Sequence, residues 1–510
     1  MITLNNSSFQ QEATSWSVVM STSTDLESLT PELIETLKLL KFTGKFGEIA
    51  LLPESKHIIV GLTFEAKQKT ADPFYKANLY QLGAKLSRKL ADTKITNLYL
   101  HNHAVFAEEI QHSFGSISKN LLDFTLGMAQ ASWNLDTFLP ELEAKTIKLN
   151  LSFDETLLAL VTPQFSSVFD ALNNGITLTR SLVDDIPENI NPTTLPNLVK
   201  KELGEYPEIS INTIDYSKMQ ELGMEGITFV GRSSRHNPVM VHVVLKPKGE
   251  VKNKICLVGK GVTYDSGGLD IKISGSMKTM KSDMGGSATM FGVMKTLAAI
   301  KLENTEVHWI SAWVENMIDG SSYKSDDVLT TYSGQTVEIW NTDAEGRLTL
   351  ADALTLATLQ NPDYIVDAAT LTGAAVVAVS EYYTAMMGND ASLLSSLEKT
   401  FIAEGEKTVH TPLPEVLRSK IKGDVGQFIN TSSLARIAGH LTAGLFLSNF
   451  VDQKNFRNKA LNITSPKAYP WVHLDIAGSC WNKKMNDLGA NGASGQSVRS
   501  LAAWVLSLDK

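Results

Sequence analysis

Three charged residues alternate in the segment Asn341-Thr-Asp-Ala-Glu-Gly-Arg-Leu348, directly after an apolar run. They are Asp343, Glu345 and Arg347, and in an extended segment all three side chains would project to one side. Charges that share a face next to an apolar run must be paired or must hold a cation. Clustered carboxylates suit hard divalent ions, and oxygen-rich sites accept Mg, Mn or Zn. The segment therefore favours a metal site, with a solvated helix N-terminus as the alternative.

A second polar stretch runs from Cys256 to Gly268 and continues through Lys272 to the segment Lys281–Gly286. It begins as an apolar strand and turns into carboxylates and lysines flanked by glycine. Ligands of open α/β sheets bind beyond the carboxyl ends of the strands, which makes both polar stretches candidate sites. Taken alone, the second stretch leaves open the alternative of a surface loop whose charges are solvated.

A phosphate-binding loop is a further interpretation of Gly259-Lys260-Gly261 after a strand. The GxxxxGK(S/T) spacing fails, because Lys254 occupies the first glycine position and no Ser or Thr follows Lys260. The GxGxxG pattern fails because Tyr264 stands at its third glycine position. Spacing therefore counts against a phosphate-binding or nucleotide-binding enzyme, which stays as a competing hypothesis.

Other polar patterns indicate less chemistry. His101-Asn-His103 alternates in a strand-like segment without an HExxH motif, so a structural role is favoured over a metal role. His473-Leu-Asp475 lies inside a buried strand pattern and is interpreted as bracing the structure. The GxSxG elbow of serine hydrolases does not occur in the sequence.

The composition is that of a globular protein: 510 residues, 43% hydrophobic and 20% charged. The formal charge of −9 disfavours nucleic acid or an anionic membrane as the main partner. The two cysteines, Cys256 and Cys480, exclude a disulfide framework. No positive charge precedes Lys38, so no signal peptide is expected. The charge-free stretch Ile437–Val451 is shorter than a membrane helix of about 18 residues, so a soluble, cytoplasmic protein is expected.

Strand and helix patterns alternate along the chain, which is typical of α/β domains. In the first third, the predicted strands are Trp16–Met20, His57–Leu62 and Ile95–Leu100, and the predicted helices are Pro31–Leu40, Phe74–Leu90 and Ala107–Gln130. Farther along, the predicted strands are Gly226–Val230, Val239–Leu245, Ile255–Val258, Val307–Val314, Tyr364–Ala369 and Trp471–Ile476. The near-continuous Val/Ile/Leu runs of the second set are typical of strands covered on both faces.

The junction between two domains is predicted at the end of the helical run Thr162–Pro187. Residues 1–165 are expected to form a smaller N-terminal α/β domain, and residues 166–187 a linking helix. Residues 188–510 are expected to form a larger C-terminal α/β domain with a mixed, largely parallel central sheet. Both polar stretches lie in this larger domain.

The segment Asn341–Leu348 resembles the signature of the leucyl aminopeptidase family, the cytosol aminopeptidases. Further motifs support the resemblance in the same order: Val258–Gly268, Lys272, Ser282–Gly286, Asp367–Ala374, His473–Gly478 and Gly492–Gly495. The resemblance extends from about Leu178 to the C-terminus, and the N-terminal domain, variable in this family, shows no matching motif. It implies a metal-dependent exopeptidase that releases N-terminal amino acids, Leu-like ones preferred, from peptides.

The resemblance also implies two adjacent divalent metals, Zn or Mn, with Mg or Co as alternatives in the looser site. One would be held by Lys260, Asp265, Asp283 and Glu345. The other would be held by Asp265, Glu345 and Asp343, the last through its carboxylate and main-chain oxygen. Asp265 and Glu345 would bridge the metals, and the pair would activate the attacking water.

Two further residues have implied catalytic roles. Lys272 would polarise the substrate carbonyl and stabilise the oxyanion. Arg347 would hold a bicarbonate ion that accepts the proton of the attacking water. Lysine titrates near about 10.4 in water, so Lys260 needs burial and adjacent dications to become a neutral ligand, whereas Lys272 must stay cationic.

An apolar pocket for the side chain of the first substrate residue is implied as well. Its lining residues would be Met280, Thr370, Gly373, Ala477 and Cys480. Cys480 stands where a methionine can occur in the family, which leaves the pocket's depth open. Leu, Met and Phe are therefore equally favoured as the first residue.

Small peptides with a free N-terminus are the implied partners, because the α-amino group can ligate one metal. A homohexamer, arranged as a dimer of trimers, is implied only by the resemblance. Some bacterial relatives also bind DNA through the N-terminal domain, so a binding or regulatory protein is a third hypothesis. Residues 1–170 hold 14 Lys and Arg against 19 Asp and Glu, so DNA binding is not expected. No membrane partner is expected.

Overall fold

The computed structural model describes residues 1–5, 15–63, 78–108, 112–138, 146–273, 275–483 and 491–509. These residues divide into two compact units. The first comprises the described residues up to Asn173 together with Asn491, and the second those from Asn174 to Lys483 and from Gly492 onward. The division falls within one long helix, Pro163–Asp184. No helix in the described ranges combines the length and the hydropathy that crossing a membrane requires.

The first unit is an α/β sheet structure. Its strands are β1 Ile2–Leu4, β2 Trp16–Ser21, β3 Ile49–Leu52, β4 His57–Gly61, β5 Asn97–Leu100 and β6 Leu149–Phe153. Its helices are α1 Pro31–Leu39, α2 Leu79–Leu90, α3 Ala104–Ala107, α4 Lys119–Ser132 and α5 Glu155–Leu158, and α6 is Pro163–Asp184. The described strands are ordered β1-β6-β5-β2-β4-β3, and all neighbours are parallel except β3 and β4.

One helix prediction in this unit is wrong and another is confirmed only in part. Ala107–Gln130 is not one helix, because α3 ends at Ala107 and α4 begins at Lys119. Gly115 takes a left-handed φ of 89°, and the Ser118 hydroxyl caps the new helix, so the chain turns between the two. The helix predicted from residue 74 is present from residue 79 onward, and its predicted start lies outside the described residues. The three predicted strands and the helix α1 are confirmed.

The second unit contains the two polar stretches. Its strands are β7 Ile209–Ile214, β8 Val239–Leu245, β9 Asn253–Asp265, β10 Thr305–Asn316, β11 Val328–Thr330, β12 Thr336–Glu338, β13 Tyr364–Ala369, β14 Thr384–Gly388, β15 Thr408–His410, β16 Phe428–Ile429, β17 Trp471–Asp475, β18 Trp481–Asn482 and β19 Gly492–Ala493. Its helices are α7 Leu195–Leu203, α8 Tyr216–Leu222, α9 Glu225–Gly231, α10 Gly285–Ile300, α11 Gly346–Thr358, α12 Gly373–Val379, α13 Ala391–Glu404, α14 Ala435–Ser448 and α15 Val498–Leu508.

The central sheet of this unit has the order β15-β14-β17-β13-β9-β10-β8-β7 among the described strands. The run β17-β13-β9-β10 is parallel, whereas β7, β8 and β14 add antiparallel pairings. The expected α/β fold with a mixed, largely parallel central sheet is confirmed. Because the parallel strands end at one edge, the residues that follow them are brought together there.

Gly259 and Gly261 belong to the strand β9 and not to a loop. A Cβ on Gly259 would lie 2.6 Å from Ser287 Cα in α10, and one on Gly261 would lie 2.4 Å from the carbonyl oxygen of Ala312. The glycines therefore serve close packing of a helix and a neighbouring strand onto β9. Both the phosphate-loop interpretation and the solvated-loop alternative are wrong for this segment.

The strand predicted at Gly226–Val230 is a helix, α9. The periodicity of a five-residue segment cannot distinguish a buried strand from a buried helix. The helical conformation of this segment is stabilised by a neighbouring helix, because the buried Asp352 carboxylate in α11 accepts the Ile227 N–H at 3.0 Å. A Cβ on Gly226 would lie 2.3 Å from the Leu348 carbonyl oxygen, so glycine permits this close contact between α9 and α11.

Candidate active site

Carboxylates and lysines from both polar stretches meet at the carboxyl edge of the central sheet. One oxygen from each of Asp265, Asp283 and Glu345 lies within 4.8 Å of the others, and all three residues are buried. Asp265 ends β9, and Asp283 lies in the short 3₁₀ helix Met280–Met284 that precedes α10. Glu345 immediately precedes α11. Residues from three distant segments therefore form one cluster with metal-ligand chemistry.

Lys260 lies at the centre of this cluster and is 3% exposed. Its Nζ is 2.7 Å from Asp283 and 3.0 Å from Glu345, and it donates to the Thr370 carbonyl oxygen at 3.0 Å. Burial alone would lower the pKa of Lys260, but the carboxylates around it, Asp283 foremost, hold that pKa above its ordinary value. A Cβ on Gly346 would lie 2.4 Å from Lys260 Cε, so the glycine of the Glu-Gly-Arg segment makes room for the lysine.

Lys272 occupies the outer side of the cluster. Its Nζ contacts Asp265 Oδ2 at 2.7 Å and Asp343 Oδ1 at 2.5 Å. Burial lowers the pKa of Lys272, but the neighbouring carboxylates outweigh this effect and hold the pKa above its usual range. Lys272 is therefore a cation that faces the same cavity as the carboxylates.

The cluster fits divalent cations. It holds four carboxylates against two lysines, and Glu345 Oε2 is buried with no hydrogen-bond partner among the described residues. Burial raises the pKa of Asp343 to about 6, and repulsion from Asp265 and Glu345 adds to the shift. Crowded negative charge and an unpaired buried oxygen are both relieved by a hard cation.

The expectation that Asp343, Glu345 and Arg347 lie in an extended segment with their side chains on one side is wrong. Glu345 takes helical dihedral angles and α11 begins at Gly346, so Arg347 lies in the first turn of the helix. Its side chain is 7% exposed, and its Nε has no acceptor in the described part of the chain. Burial lowers the pKa of Arg347 to about 10, against the opposing effects of Glu345 and Asp475. An unpaired, buried guanidinium N–H can accommodate a small anion.

A cavity of about 650 Å³ opens over the cluster. Its lining includes the four carboxylates and two lysines, together with Met280, Thr370, Gly373 and Ala477. Four apolar residues that the sequence patterns do not single out also contribute: Ile271, Ile273, Leu371 and Val376. The structure therefore places the charged groups beside apolar walls in one cavity.

Two predicted site residues, Arg347 and Cys480, are not among the described residues that line this cavity. Cys480 is buried, and a Cβ built on Gly285 would lie 2.2 Å from its Sγ. Cys480 thus packs behind Gly285, and burial raises the pKa of its thiol to about 12. Cys480 therefore contacts the start of α10 and does not line the cavity itself.

The histidine motifs have structural contacts. His473 Nδ1 lies 2.6 Å from the Asp367 carboxylate, which also accepts the Trp471 indole N–H at 2.7 Å. Asp475 accepts the Thr372 hydroxyl at 2.7 Å, which holds the loop after β13. In the first unit, His103 Nδ1 accepts the backbone N–H of Val105 at the start of α3.

Sequence patterns miss the polar residues that support the cluster from behind. Asn316 ends β10, and its amide donates to Asp265 Oδ1 at 2.9 Å. The Thr342 hydroxyl donates to the Gly267 carbonyl oxygen at 2.6 Å, and the Thr342 N–H donates to Asp270 at 2.7 Å. A polar residue at the carboxyl end of a buried strand, as in Val314-Glu-Asn316, is the available sequence signal.

Comparisons with known proteins extend these observations. The model of the cytosol aminopeptidase family, catalytic domain, matches residues 177–502. A probable cytosol aminopeptidase of Aquifex aeolicus is 33% identical over 481 residues, which cover 92% of this chain and 90% of the relative. The crystal structure of the Coxiella burnetii cytosol aminopeptidase is 26% identical with a TM-score of 0.81, covering 100% of this chain and 99% of that one. A mutant tomato leucine aminopeptidase is 28% identical with a TM-score of 0.81, covering 99% and 96%.

The fold and the site define an α/β enzyme whose chemistry is concentrated in a buried cluster of carboxylates and lysines. The family match covers more than half of the chain, and the Aquifex relative matches nearly all of it. The chain belongs to the cytosol aminopeptidase family and is an aminopeptidase, a hydrolase that acts on peptide bonds. The resemblance at Asn341–Leu348 is thereby confirmed.

Proposed function

We propose that this aminopeptidase uses two divalent cations, Zn or Mn, to release Leu-like N-terminal residues from small peptides. The observation that carries the proposal is the buried cluster in which carboxylates outnumber lysines and Glu345 Oε2 lacks a partner. Burying such a cluster without compensation is costly, so these residues fit a cationic cofactor.

Two overlapping ligand sets are proposed. The Lys260 site consists of Lys260 and Asp283 together with the shared carboxylates of Asp265 and Glu345. The Asp343 site consists of Asp343 with the same shared carboxylates, and it is the looser site, where Mg or Co are alternatives. When bound, the two cations supply Lewis-acid activation of water and of the scissile carbonyl.

The two lysines have different proposed duties. Lys260 must give up a proton before its amine can ligate, so metal uptake at the Lys260 site releases a proton. Lys272 keeps its proton and donates from Nζ to the substrate carbonyl oxygen as negative charge develops there. The contacts of Lys272 with Asp265 and Asp343 support this role, because they hold the ammonium at the edge of the ligand cluster.

Arg347 is proposed to bind bicarbonate. The buried, unpaired Nε–H of its guanidinium supports this assignment, because a charged donor without an acceptor is stabilised by an anion. When bound, the anion supplies a proton acceptor for the attacking water. Arg347 itself keeps its proton and positions the anion.

The apolar part of the cavity is proposed to receive the side chain of the first substrate residue. Met280, Thr370, Gly373 and Ala477 line it, and nothing lies within 4 Å of a Cβ built on Gly373. Space beside Gly373 supports a branched or long apolar side chain such as Leu, Met or Phe. Cys480 would act on this preference indirectly, through its packing on Gly285.

Location, assembly and domain roles remain proposals. The names of the relatives contain the word cytosol, which supports a cytoplasmic location for this chain. A homohexamer is proposed from the family resemblance, with residues 1–165 as a variable domain for assembly. Residues 166–187 would link this domain to the catalytic domain, residues 188–510.

The test is hydrolysis of Leu-p-nitroanilide by the purified full chain, with N-acetyl-Leu-p-nitroanilide as the matched control. The free amine substrate is expected to be cleaved and the acetylated one left intact. Chelation should abolish the activity, and Mn²⁺ or Zn²⁺ should restore it, because the proposed ligands need a cation to act. Turnover that persists after prolonged chelation would overturn the proposal.

A further inference from the structure

Asn316 connects two parts of the site that come from distant segments of the chain. It is the last residue of β10, directly opposite Asp265 at the end of β9, and it is fully buried. Its Nδ2 donates to Asp265 Oδ1 at 2.9 Å and to the Thr342 carbonyl oxygen at 3.0 Å. Both partners can only accept, so they fix the orientation of the amide.

The Thr342 carbonyl oxygen receives a second donor from the buried hydroxyl of Tyr323 at 2.7 Å. The Thr342 hydroxyl donates to the Gly267 carbonyl oxygen, and the backbone N–H of Thr342 donates to the Asp270 carboxylate. The peptide group that joins Thr342 to Asp343 is held at both polar atoms, because Asn316 and Tyr323 donate to its oxygen and its N–H donates to the Asn341 side chain at 2.7 Å. Asn316 is the group that links this peptide directly to the Asp265 carboxylate.

The arrangement has a structural cost. Asn316 Oδ1 is buried and has no donor among the described residues. An amide that served architecture alone would pair both of its ends, as most buried amides do. Asn316 instead uses its nitrogen twice, on the two segments that carry Asp265 and Asp343. These two carboxylates repel each other, and Lys272 offsets this repulsion by contacting both of them. Asn316 adds a neutral donor that holds one carboxylate and the peptide next to the other.

We infer that Asn316, assisted by Tyr323, is a positioning residue that sets the distance between Asp265 and Asp343 and thereby the affinity of the Asp343 site. The inference rests on the proposed two-cation function. Lys260 and Asp283 make no hydrogen bond with Asn316 in the described part of the chain, so the Lys260 site does not depend on it in the same way. Asp265 is shared by both proposed sites, whereas Asp343 belongs to the second alone, so loss of the amide should weaken the Asp343 site more than the Lys260 site.

The experiment is a titration of the metal-free full chain with Mn²⁺, in which free Mn²⁺ is counted by electron paramagnetic resonance. Wild type is expected to bind two ions per chain. Asn316→Ala should weaken the Asp343 site by about 10- to 100-fold, the usual effect of losing a group that orients a ligand, and weaken the Lys260 site clearly less. Tyr323→Phe should shift the same site by less, because Asn316 still serves the Thr342 carbonyl.

Two further measurements separate positioning from folding. Excess Mn²⁺ should restore the turnover of Asn316→Ala, since only occupancy is impaired. The matched control is Asn449→Ala, which removes a buried amide that likewise donates to two carbonyl oxygens but lies outside the cavity lining. It should lower the melting temperature and leave both metal affinities unchanged.

Several outcomes would overturn the inference. They are unchanged affinities in Asn316→Ala, equal weakening of both sites, or activity that excess Mn²⁺ does not restore. If Asn316→Ala does not fold, Tyr323→Phe decides: a weaker Asp343 site supports positioning, and unchanged affinities refute it. A wild-type protein that binds fewer than two Mn²⁺ would instead refute the proposed function.

Discussion

The two lysines of the site occupy different positions within one cluster, which is the basis of the different roles proposed for them. Lys260 is enclosed, with Asp283 and Glu345 around its amine and Gly346 giving it room. Lys272 is more exposed, at 14%, and contacts the buried carboxylate of Asp265 and the partly exposed carboxylate of Asp343. The enclosed lysine suits exchange of its proton for a cation, whereas the outer lysine suits donation to a substrate.

This difference predicts opposite outcomes for two substitutions. Lys272→Ala should keep both cations, because it removes a positive charge from the ligand cluster, but lower kcat by about 10²- to 10³-fold through the lost oxyanion donor. Asp265→Ala should lose metal as well as activity, because it removes a shared ligand. Metal content by mass spectrometry and kcat on Leu-p-nitroanilide measure both effects. Loss of metal from Lys272→Ala would contradict the division of roles.

At the scale of elements, helix α11 organises the site and its surroundings together. Glu345 immediately precedes the helix, and Arg347 lies in its first turn. The buried Asp352 lies in the next turn. Asp352 accepts N–H groups from Ile227 in α9 and from Tyr332, at 3.0 and 2.7 Å. The carboxylate thereby ties two neighbouring segments to the helix that positions the active site.

Asp352 should give the fold a measurable pH dependence. Burial raises the pKa of Asp352 to about 8, although its backbone N–H partners oppose the shift. The folded state therefore retains a proton that the unfolded state, with a pKa of about 3.9, releases, so the free energy of unfolding falls as pH rises from about 4 to 8. In Asp352→Asn, which does not titrate, this decline should be shallower. Urea unfolding across that range is the measurement, and parallel pH curves for the two proteins would refute the assignment.

The elements that the sequence predicts well are those with local signals. Buried Val/Ile/Leu runs identify β8, β10 and β13, and the motif at Asn341–Leu348 identifies the family. Features that depend on distant partners are missed. The segment 226–230 is helical because it contacts the Asp352 carboxylate and the α11 backbone. Asn316 is recognised as a site residue only through its hydrogen bonds to Asp265 and Thr342. No local pattern carries such information.

At the scale of the whole molecule, the parallel strands of the second unit convert distant motifs into one cavity. Lys260 and Asp265 lie on β9, near the sheet edge at which Thr370 follows the neighbouring strand β13. The glycine contacts of β9 with α10 and β10 leave little room for adjustment, so close packing fixes the strand that carries Lys260 and Asp265. A cation that binds such a preformed cluster stabilises the folded chain by mass action.

The two proposed cation sites should leave the molecule in sequence. The Lys260 site has four protein ligands, whereas the Asp343 site depends on the two shared carboxylates and on the partly exposed Asp343. Dialysis should therefore remove one cation per chain readily and leave the second until a strong chelator is added. The melting temperature should fall in two stages, because a cation at about a hundredfold above its Kd contributes about 2.7 kcal/mol. Metal content and calorimetry on the same samples provide the measurement. Simultaneous loss of both cations with a single affinity would contradict the unequal ligand sets.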